Sequence, residues 1–382
     1  MNFNNKRTGL FNIFYRVNLV CYGWGEILKK SVLVFMLLVC HSAHALTIQH
    51  VSHYPKQIDL NKNETVIIKY SLDESAQVKL NIYDDRDFLI RRISSKGELK
   101  KGDHSFTWNG YDQANHPVPP EAYRYTLVAS NGTDSVEHDL SDLTGGQVVK
   151  VHQLKWDKKA KKVQYRVLKS SRVNVRVGLK NNGPLMATIT DWVARGHGLH
   201  EVSWDGFDNS GVIDVSKNKG YEIYAQAFTL SENTILVGPS DDDIKLIDIT
   251  WKKEKRTRKK QQKKRMKMHS QQYIENRGDF TLQIKLPESL KKTKLGMPIV
   301  NKKVPVRFNV PPDVQQRMLN DRFEPILFVD GNYKTENEVG FFPMTWNWDP
   351  KNLAEGEHVL TINLRGYDGH LGSASVKIFV KN

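Results

Sequence analysis

The chain has 382 residues, of which 39% are hydrophobic, and it carries a formal net charge of +15. Both of its cysteines, Cys21 and Cys40, lie within the first 45 residues. The remainder holds no thiol, which excludes disulfides, thiolate metal sites and cysteine nucleophiles from it. The charge is localised as well: residues 1–45 carry +4 and residues 252–267 carry +10, which leaves +1 for the rest. The folded regions are therefore predicted to be almost neutral.

The first 45 residues are typical of a secretory signal peptide. Two lysines precede an apolar run over residues 31–40, and residues 43–45 read Ala-His-Ala. Charged, apolar and small residues in that order form the leader of an exported protein. About ten apolar residues are too few to span a bilayer, which takes about 20. We expect cleavage after Ala45, with an uncleaved anchor as the alternative.

Residues 46–147 are predicted to form an Ig-like β-sandwich. Short runs rich in β-branched and aromatic residues are separated by turn signals about every 8–12 residues, as in sandwich folds. Without disulfides, each exported domain needs about 100 residues to bury a sufficient core. The predicted strands cover residues 66–70, 78–83, 88–93, 104–108 and 123–129.

A second region repeats this plan. Residues 106–112 (Phe-Thr-Trp-Asn-Gly-Tyr-Asp) and 202–208 (Val-Ser-Trp-Asp-Gly-Phe-Asp) have the same residue types in the same order, with their tryptophans 96 positions apart. We call these two stretches the Trp-Gly-Asp elements. A period of this length indicates a duplicated domain rather than a solenoid. A second Ig-like sandwich is therefore predicted over residues 148–248, with an alternating strand at 173–177 and an elaborated connection at 181–198.

The motifs of the first region resemble the Ig-like domain of the flagellar hook-capping protein. They are Tyr-Ser-Leu at 70–72, a Val-x-Leu-x-Ile-Tyr-Asp strand at 78–84, Gly-x-His-x-Phe-x-Trp-x-Gly-x-Asp at 102–112 and Tyr-Arg-Tyr at 123–125. The resemblance covers residues 64–129 and, more loosely, residues 160–227. Ala114 and Asn115 replace the usual glycine, which suggests a different turn there. The resemblance implies a sandwich fold and a role in assembly or attachment, and it implies no chemistry.

A third Ig-like sandwich is predicted over residues 280–382, after a polybasic linker at 249–279. It resembles another bacterial Ig-like module that is common beside carbohydrate-active enzymes. Residues 311–319 predict one short helical turn. The predicted fold class is all-β, with three tandem Ig-like or fibronectin-like β-sandwiches after a signal peptide. The strands of the third are expected at residues 280–286, 304–310, 325–330, 344–348, 357–367 and 373–380.

The tryptophans of the Trp-Gly-Asp elements allow two interpretations. An exposed Trp can stack on sugars, but a Trp that ends an alternating strand of a sandwich is normally part of the core. We predict core positions for Trp108 and Trp204, with Asp112 and Asp208 capping their turns through backbone N–H groups. The less patterned aromatic residues stay candidates for stacking, although a packing or interface role is favoured for each of them: Trp156, Trp192, Trp251, Phe341 and Phe342.

Histidines and aspartates give little support to a metal site. His104, His200 and His358 share one repeated strand position, which favours a structural hydrogen bond. The His-x-x-His pairs at 50–53 and 197–200 lack a nearby third ligand. Residues 241–243, three aspartates, fit a solvated turn better than a calcium site, which needs further oxygen ligands. We expect no metal and no cofactor.

Catalytic motifs are missing from the sequence. It contains no Gly-x-Ser-x-Gly, no His-Glu-x-x-His and no phosphate-binding glycine loop. The chain is therefore not predicted to be an enzyme, and we assign no catalytic residue. Residues 277–279 read Arg-Gly-Asp, an integrin-binding tripeptide, but a three-residue match in a charged linker is close to chance.

The basic run at 252–267 is predicted to act on an outside partner. Near an anionic surface each Lys or Arg can contribute about 1 kcal/mol, within about 8–10 Å and weakened by salt. The alternative is a solvated tether that repels itself, and a helix over this stretch stays open. The candidate residues for anionic-surface binding are Lys252, Lys253, Lys255, Arg256, Arg258, Lys259, Lys260, Lys263, Lys264, Arg265 and Lys267.

Together these patterns favour a non-enzymatic, exported, multi-domain Ig-like protein that serves as a cell-envelope scaffold, adhesion or assembly factor. The alternative is a protein that binds glycan, cell wall or lipopolysaccharide. The expected partners are an envelope or extracellular protein, or an anionic glycan, lipopolysaccharide or lipid surface. Nucleic acid fits the charge but not the predicted periplasmic, outer-surface or secreted location, and no transmembrane segment is expected in the mature chain. A hook-capping protein is disfavoured, because that family resembles type III export substrates without a cleaved signal.

Overall fold

The structure is a computed structural model that describes residues 45–85, 87–141, 143–239, 279–317, 323–366 and 369–381. The described residues from Leu46 onward belong to one compact unit and fold almost wholly as β-strands. They form three sandwiches, each made of a three-stranded sheet and a larger sheet, which confirms the predicted all-β class. The predicted signal peptide, apart from Ala45, and the basic run lie outside the described residues.

The first sandwich contains all five strands predicted for it. Its three-stranded sheet has the order β1-β3-β6, and β4, β5 and β7 belong to the larger sheet, with β8 paired to β7. β3 shows why the chain forms a sandwich here, since alternate residues are buried in the core along its length. The strands are β1 (Ile48–Tyr54), β2 (Gln57–Ile58), β3 (Val66–Leu72), β4 (Gln77–Tyr83), β5 (Leu89–Ser94), β6 (Gly102–Trp108), β7 (Ala122–Ser130) and β8 (Ser135–His138).

The second sandwich repeats the three-stranded sheet, with the order β10-β11-β14. Its other sheet has the order β13-β12-β15-β9. The connection predicted at 181–198 is wrong in part, because most of it is an eleven-residue strand, β13, that pairs with β12. The strands are β9 (Val148–Val149), β10 (His152–Asp157), β11 (Lys162–Val167), β12 (Ser171–Leu179), β13 (Leu185–Arg195), β14 (Gly198–Ser203) and β15 (Tyr221–Thr229).

The next strand, β16 (Thr234–Val237), belongs to the sheet of the first sandwich. It lies between β7, to which it is antiparallel, and β2, to which it is parallel. Ile235 and Val237 are buried in the first core. The chain therefore leaves the first sandwich after β8, builds the second, and returns to complete the first. The predicted ranges 46–147, 148–248 and 280–382 stay proposals, and the last described strand of the middle range lies in the neighbouring sheet.

The third sandwich has sheets of order β17-β19-β22 and β18-β24-β23-β20-β21. The helical turn predicted at 311–319 is confirmed by a six-residue helix, α1 (Pro312–Arg317). In the part of the chain that the structure describes, no helix has the length and apolar character to cross a membrane. The strands are β17 (Gln283–Lys285), β18 (Ile299–Val300), β19 (Val304–Asn309), β20 (Phe323–Val329), β21 (Asn332–Glu336), β22 (Met344–Trp348), β23 (Gly356–Gly366) and β24 (Leu371–Val380).

Each sandwich has its own hydrophobic core. The first is built around Tyr70, Trp108 and Tyr125, and the third around residues of β19, β20 and β23. In the second, the core-facing residues of β12 are Val173, Val175 and Val177. Because side chains alternate along a strand, the residues between them point to the other face of that sheet. That outer face of β12 carries the polar contacts described below.

Candidate functional site

The Trp-Gly-Asp elements lie inside the sandwiches. Trp108 is 1% exposed and Trp204 is 7% exposed, which confirms their predicted core positions. Each indole N–H donates to a backbone carbonyl three residues later, at 2.9 Å to Tyr111 and at 2.9 Å to Phe207. Both tryptophans thus have their polar atom satisfied within their own turn, so neither is free to stack on a ligand.

The aspartates that end these elements cap the turns that follow. Asp112 accepts from the backbone N–H of His116 at 2.8 Å. Asp208 accepts from the N–H groups of Val212 and Ile213, at 2.8 and 2.7 Å. The predicted capping role is confirmed. Local hydrogen bonds of this kind hold a turn in place and leave the carboxylate little freedom to act on a substrate.

The three repeated histidines make the same contact in all three sandwiches. Nε2 of each lies close to the carbonyl oxygen four residues earlier, at 2.7 Å for His104, 2.8 Å for His200 and 2.9 Å for His358. A carbonyl only accepts, so Nε2 carries the proton. The predicted structural role is confirmed. Burial opposes charge on His358, but its bonds to Asp330 and to the Ala354 carbonyl raise its pKa above the ordinary value.

A surface cluster in the first sandwich contains the residue types of a Ser-His-Asp catalytic triad but not its hydrogen-bond order. The Ser71 hydroxyl donates to Asp103 at 2.5 Å and lies 3.4 Å from Nδ1 of His50. In a Ser-His-Asp triad the serine donates to the histidine and the carboxylate holds the histidine. Here the serine hydroxyl donates its hydrogen bond to the carboxylate instead of to the histidine, so the cluster does not have the arrangement of a triad. No local pattern indicates this grouping, because its three residues lie on the separate strands β1, β3 and β6.

The other aromatic candidates divide into packed and exposed residues. Trp192 is buried against Phe228, with ring centroids 5.2 Å apart, so it is a packing residue and not a platform for a ligand. Trp156 is half-buried and packs against Trp204 in a tilted arrangement, with ring centroids 4.5 Å apart. Phe342 packs against a core ring of the third sandwich, whereas Phe341 is exposed. Trp251 and residues 241–243 lie outside the described residues.

The most elaborate polar site joins the second and third sandwiches and centres on Asp279. Arg176, on the outer face of β12, donates to both carboxylate oxygens of Asp279, at 3.0 and 2.5 Å. The Thr188 hydroxyl and the Leu371 backbone N–H donate to the same carboxylate. The Asp279 N–H in turn donates to Asp191 at 2.8 Å. We call these five residues the Asp279 cluster.

The Asp279 cluster is buried, and this burial shifts the pKa of one of its carboxyl groups. The side chains of Arg176 and Asp279 are 4% and 10% exposed. Burial raises the pKa of Asp191, and the neighbouring Asp279 carboxylate adds to the rise. Asp279 is the last residue of the Arg-Gly-Asp tripeptide, so the carboxylate that an integrin would need is already used inside the protein. The sequence reasoning treated that tripeptide as chance and missed the structural role of its aspartate.

A second set of contacts covers the edge of β13. The Leu185 N–H donates to Asn363 at 2.7 Å, and the Asn363 amide donates back to the Leu185 carbonyl at 2.9 Å. The Ser373 hydroxyl donates to the same carbonyl at 2.6 Å, and the Ser210 hydroxyl accepts from the Ser375 N–H at 2.8 Å. Asn363 thus takes the place of a neighbouring strand at an edge that would otherwise be open. Within the described residues, no group of three His, Cys, Asp or Glu side chains is placed to hold a metal ion.

Comparison with protein families matches residues 56–133 to the FlgD Ig-like domain. This match confirms the predicted resemblance for the first sandwich. Among solved structures, FlgD from P. aeruginosa is 24% identical, with 24% of this chain and 67% of that chain covered and a TM-score of 0.20. Comparison with curated proteins found no match.

Two further solved structures match over most of this chain. The fibronectin(III)-like modules of CbhA from Clostridium thermocellum are 11% identical, with 88% of this chain and 94% of that chain covered and a TM-score of 0.18. A bacterial ice-binding adhesin is 12% identical, with 88% and 98% covered and a TM-score of 0.18. Values of this size carry no argument about function.

Proposed function

We propose that this chain, whose residues 56–133 form a FlgD-like Ig domain, is a non-enzymatic exported protein that acts as a scaffold, adhesion or assembly factor at the cell envelope. The observation that carries the proposal is how its polar and aromatic residues are used. Trp108, Trp204 and the repeated histidines hold strands and turns together, and the Asp279 cluster holds two sandwiches together. Such a body is suited to presenting surfaces rather than to turning over a substrate.

The start of the fold supports export. Leu46, the residue after the predicted cleavage site, is buried in the first core, and β1 begins at Ile48. Export and cleavage after Ala45 can be tested by expressing the full chain in a Gram-negative host. The N-terminus of the product is then identified by mass spectrometry. A mature chain that begins at Leu46 is expected, and an intact Met1 on protein in the cytoplasmic fraction would contradict export.

We propose charge capture of an anionic envelope surface as the second candidate function. It would use the eleven basic residues of 252–267, since the remainder of the chain outside the leader is close to neutral. Their summed attraction would fall steeply with salt, because the Debye length shrinks from about 10 Å at 0.1 M to about 3 Å at 1 M.

A retention assay on purified wall glycan and lipopolysaccharide separates the two functions. It compares the mature chain with a variant in which the eleven Lys and Arg residues of 252–267 are replaced by Gln, which keeps the length. Retention that disappears with salt and in the variant supports charge capture. Retention that survives the substitutions places binding on a sandwich surface. If neither protein is retained, a protein partner is favoured, to be sought by crosslinking in intact cells.

A further inference from the structure

We infer that the third sandwich is a specific partner of the second, held by direct contacts that do not depend on the covalent connection at 240–278. The surface involved consists of the Asp279 cluster together with the contacts of Asn363, Ser373, Ser375 and Gly331 to the second sandwich, and we call it the clamp. This inference goes beyond the proposed function and does not rest on it.

The first part of the clamp is an ion pair with its hydrogen bonds completed. Arg176 donates to Asp279 through two nitrogens, in the two-pronged geometry that makes arginine–carboxylate pairs strong and directional. Arg176 also donates to the Gly369 carbonyl at 3.1 Å, which belongs to the third sandwich. Asp279 accepts further bonds from Thr188 and Leu371. Because the interface removes both charges from water, each needs such partners, and removal of one partner would leave the other charge buried and uncompensated.

The second part of the clamp is a set of side-chain hydrogen bonds to the backbone of an edge strand. Among the strands that the structure describes, β13 is the outermost of its sheet, so its outward N–H and C=O groups have no strand neighbour there. Asn363 satisfies both groups of Leu185, and Ser373 adds a second donor to the carbonyl. Both side chains belong to strands of the third sandwich, Asn363 to β23 and Ser373 to β24. Fixed side chains on a sheet face are suited to recognising one register of an edge strand.

The third part is a close approach of two turns. Gly331, in the turn between β20 and β21, has a positive φ of 77°. A Cβ at this position would lie 3.1 Å from Leu179 Cδ1, at the end of β12. A glycine therefore satisfies both the left-handed backbone and the tight contact. The clamp thus involves three separate regions of the third sandwich, of which the Asp279 cluster holds the buried charges.

The two ends of the connection are anchored at different places. The carbonyls of Gly238 and Pro239 accept from Gln57 of the first sandwich, at 3.2 and 2.9 Å. The chain is next described at Asp279, in the clamp. Residues 240–278 thus connect two fixed points, and the position of the third sandwich is set by the clamp rather than by the length of this connection.

The inference is tested by removing the connection from the intact protein. A protease recognition sequence is inserted on each side of 252–267, and the purified mature chain is cut at both. Size-exclusion chromatography with light scattering is then expected to show one species that contains both fragments at 1:1. Two separately eluting fragments, or precipitation of either one, would overturn the inference.

Matched variants locate the contacts. Asp279→Ala in the cut protein is expected to weaken the association at least about 100-fold, because it leaves Arg176 buried without its counter-charge. Lys302→Ala, at an exposed position between β18 and β19, is the control and is expected to change it less than about threefold. Equal affinities for the two variants would also overturn the inference. The readout is independent of anionic-surface retention, so failure of either proposal leaves the other intact.

Discussion

The two junctions between sandwiches are built in different ways. At the first, the chain itself crosses over, because β16 follows the second sandwich yet lies between β2 and β7 of the first. At the second, no strand is shared within the described residues. Instead, an ion pair joins Arg176 of the second sandwich to Asp279 of the third, and Asn363 of the third binds a strand edge of the second. The first junction cannot open without breaking a sheet, whereas the second can open by exposing polar groups to water.

β12 contributes one buried arginine to each junction. Arg172 is 1% exposed and pairs with Glu121 of the first sandwich at 2.9 Å, while Arg176 pairs with Asp279 of the third. The two lie on the same outer face, four residues apart. They offer a matched pair in which the same residue type, on the same strand, serves two different kinds of junction.

The largest effect is expected from removing the partners of these arginines. Asp279→Ala should cost about 3–5 kcal/mol, toward the upper end, because the carboxylate also serves Thr188 and Leu371. Glu121→Ala should cost less, since Arg172 keeps its bond to the Trp192 carbonyl. Urea unfolding followed by circular dichroism measures both, with Asp134→Ala, at an exposed turn, as the control. Losses below about 0.5 kcal/mol for both variants would show that neither junction depends on its ion pair.

Truncation of the shared strand is expected to have the next largest effect. Ile235 is fully buried in the first core, so Ile235→Ala should destabilise the first sandwich by about 2–5 kcal/mol. Val148→Ala removes an apolar side chain that is 74% exposed and should change stability by less than about 0.5 kcal/mol. Hydrogen exchange detected by mass spectrometry should show the loss in β4 and β7. If only peptides of the second sandwich lose protection, β16 does not stabilise the first.

Acid should weaken the first sandwich through His53. Burial, and then the nearby Lys56 charge, lower its pKa from 6.5 to about 4. The unfolded chain therefore binds the proton first, so the contribution is complete above about pH 6.5 and is lost as the pH falls toward 4. The difference between the pKa of His53 in the unfolded chain and in the folded chain corresponds to about 3 kcal/mol of folding stability at most.

A substitution isolates this effect from other titrating groups. The ring of His53 faces the Tyr125 hydroxyl and Lys56, and His53→Gln should remove most of the pH dependence between about 4 and 6.5 that the parent shows. His116→Gln, at an exposed turn, is the control. Parallel pH profiles for the parent and His53→Gln would contradict the assignment.

Local patterns predicted the fold well. Alternation identified the strands of the first sandwich, and the position of Trp108 and Trp204 at the ends of such strands predicted that both are core residues, because both signals depend only on neighbouring residues. The helical turn at Pro312–Arg317 was predicted for the same reason. The elaborated connection was wrong because β13 has no simple alternation, and its pairing with β12 includes several register shifts.

The junctions could not be predicted. The residues Thr234–Val237 contain no pattern that indicates pairing with β7, more than 100 positions earlier, rather than with a strand of the second sandwich. Asp279 ends a basic linker, and Asn363 lies within a strand, so neither has a local motif that indicates its partner. The basic run was recognised from charge alone, and its role stays a proposal.

The amide proton of Leu185 offers the most direct test that the sandwiches form one body in solution. It lies on the open edge of β13, and its acceptor is the side chain of Asn363 in the third sandwich. In NMR hydrogen exchange of the mature chain, this proton should exchange as slowly as those inside the sheet, such as Val175, and should become fast in Asn363→Ala. Exchange at the rate of an exposed amide in the parent protein, with Val175 still protected, would contradict docking of the third sandwich.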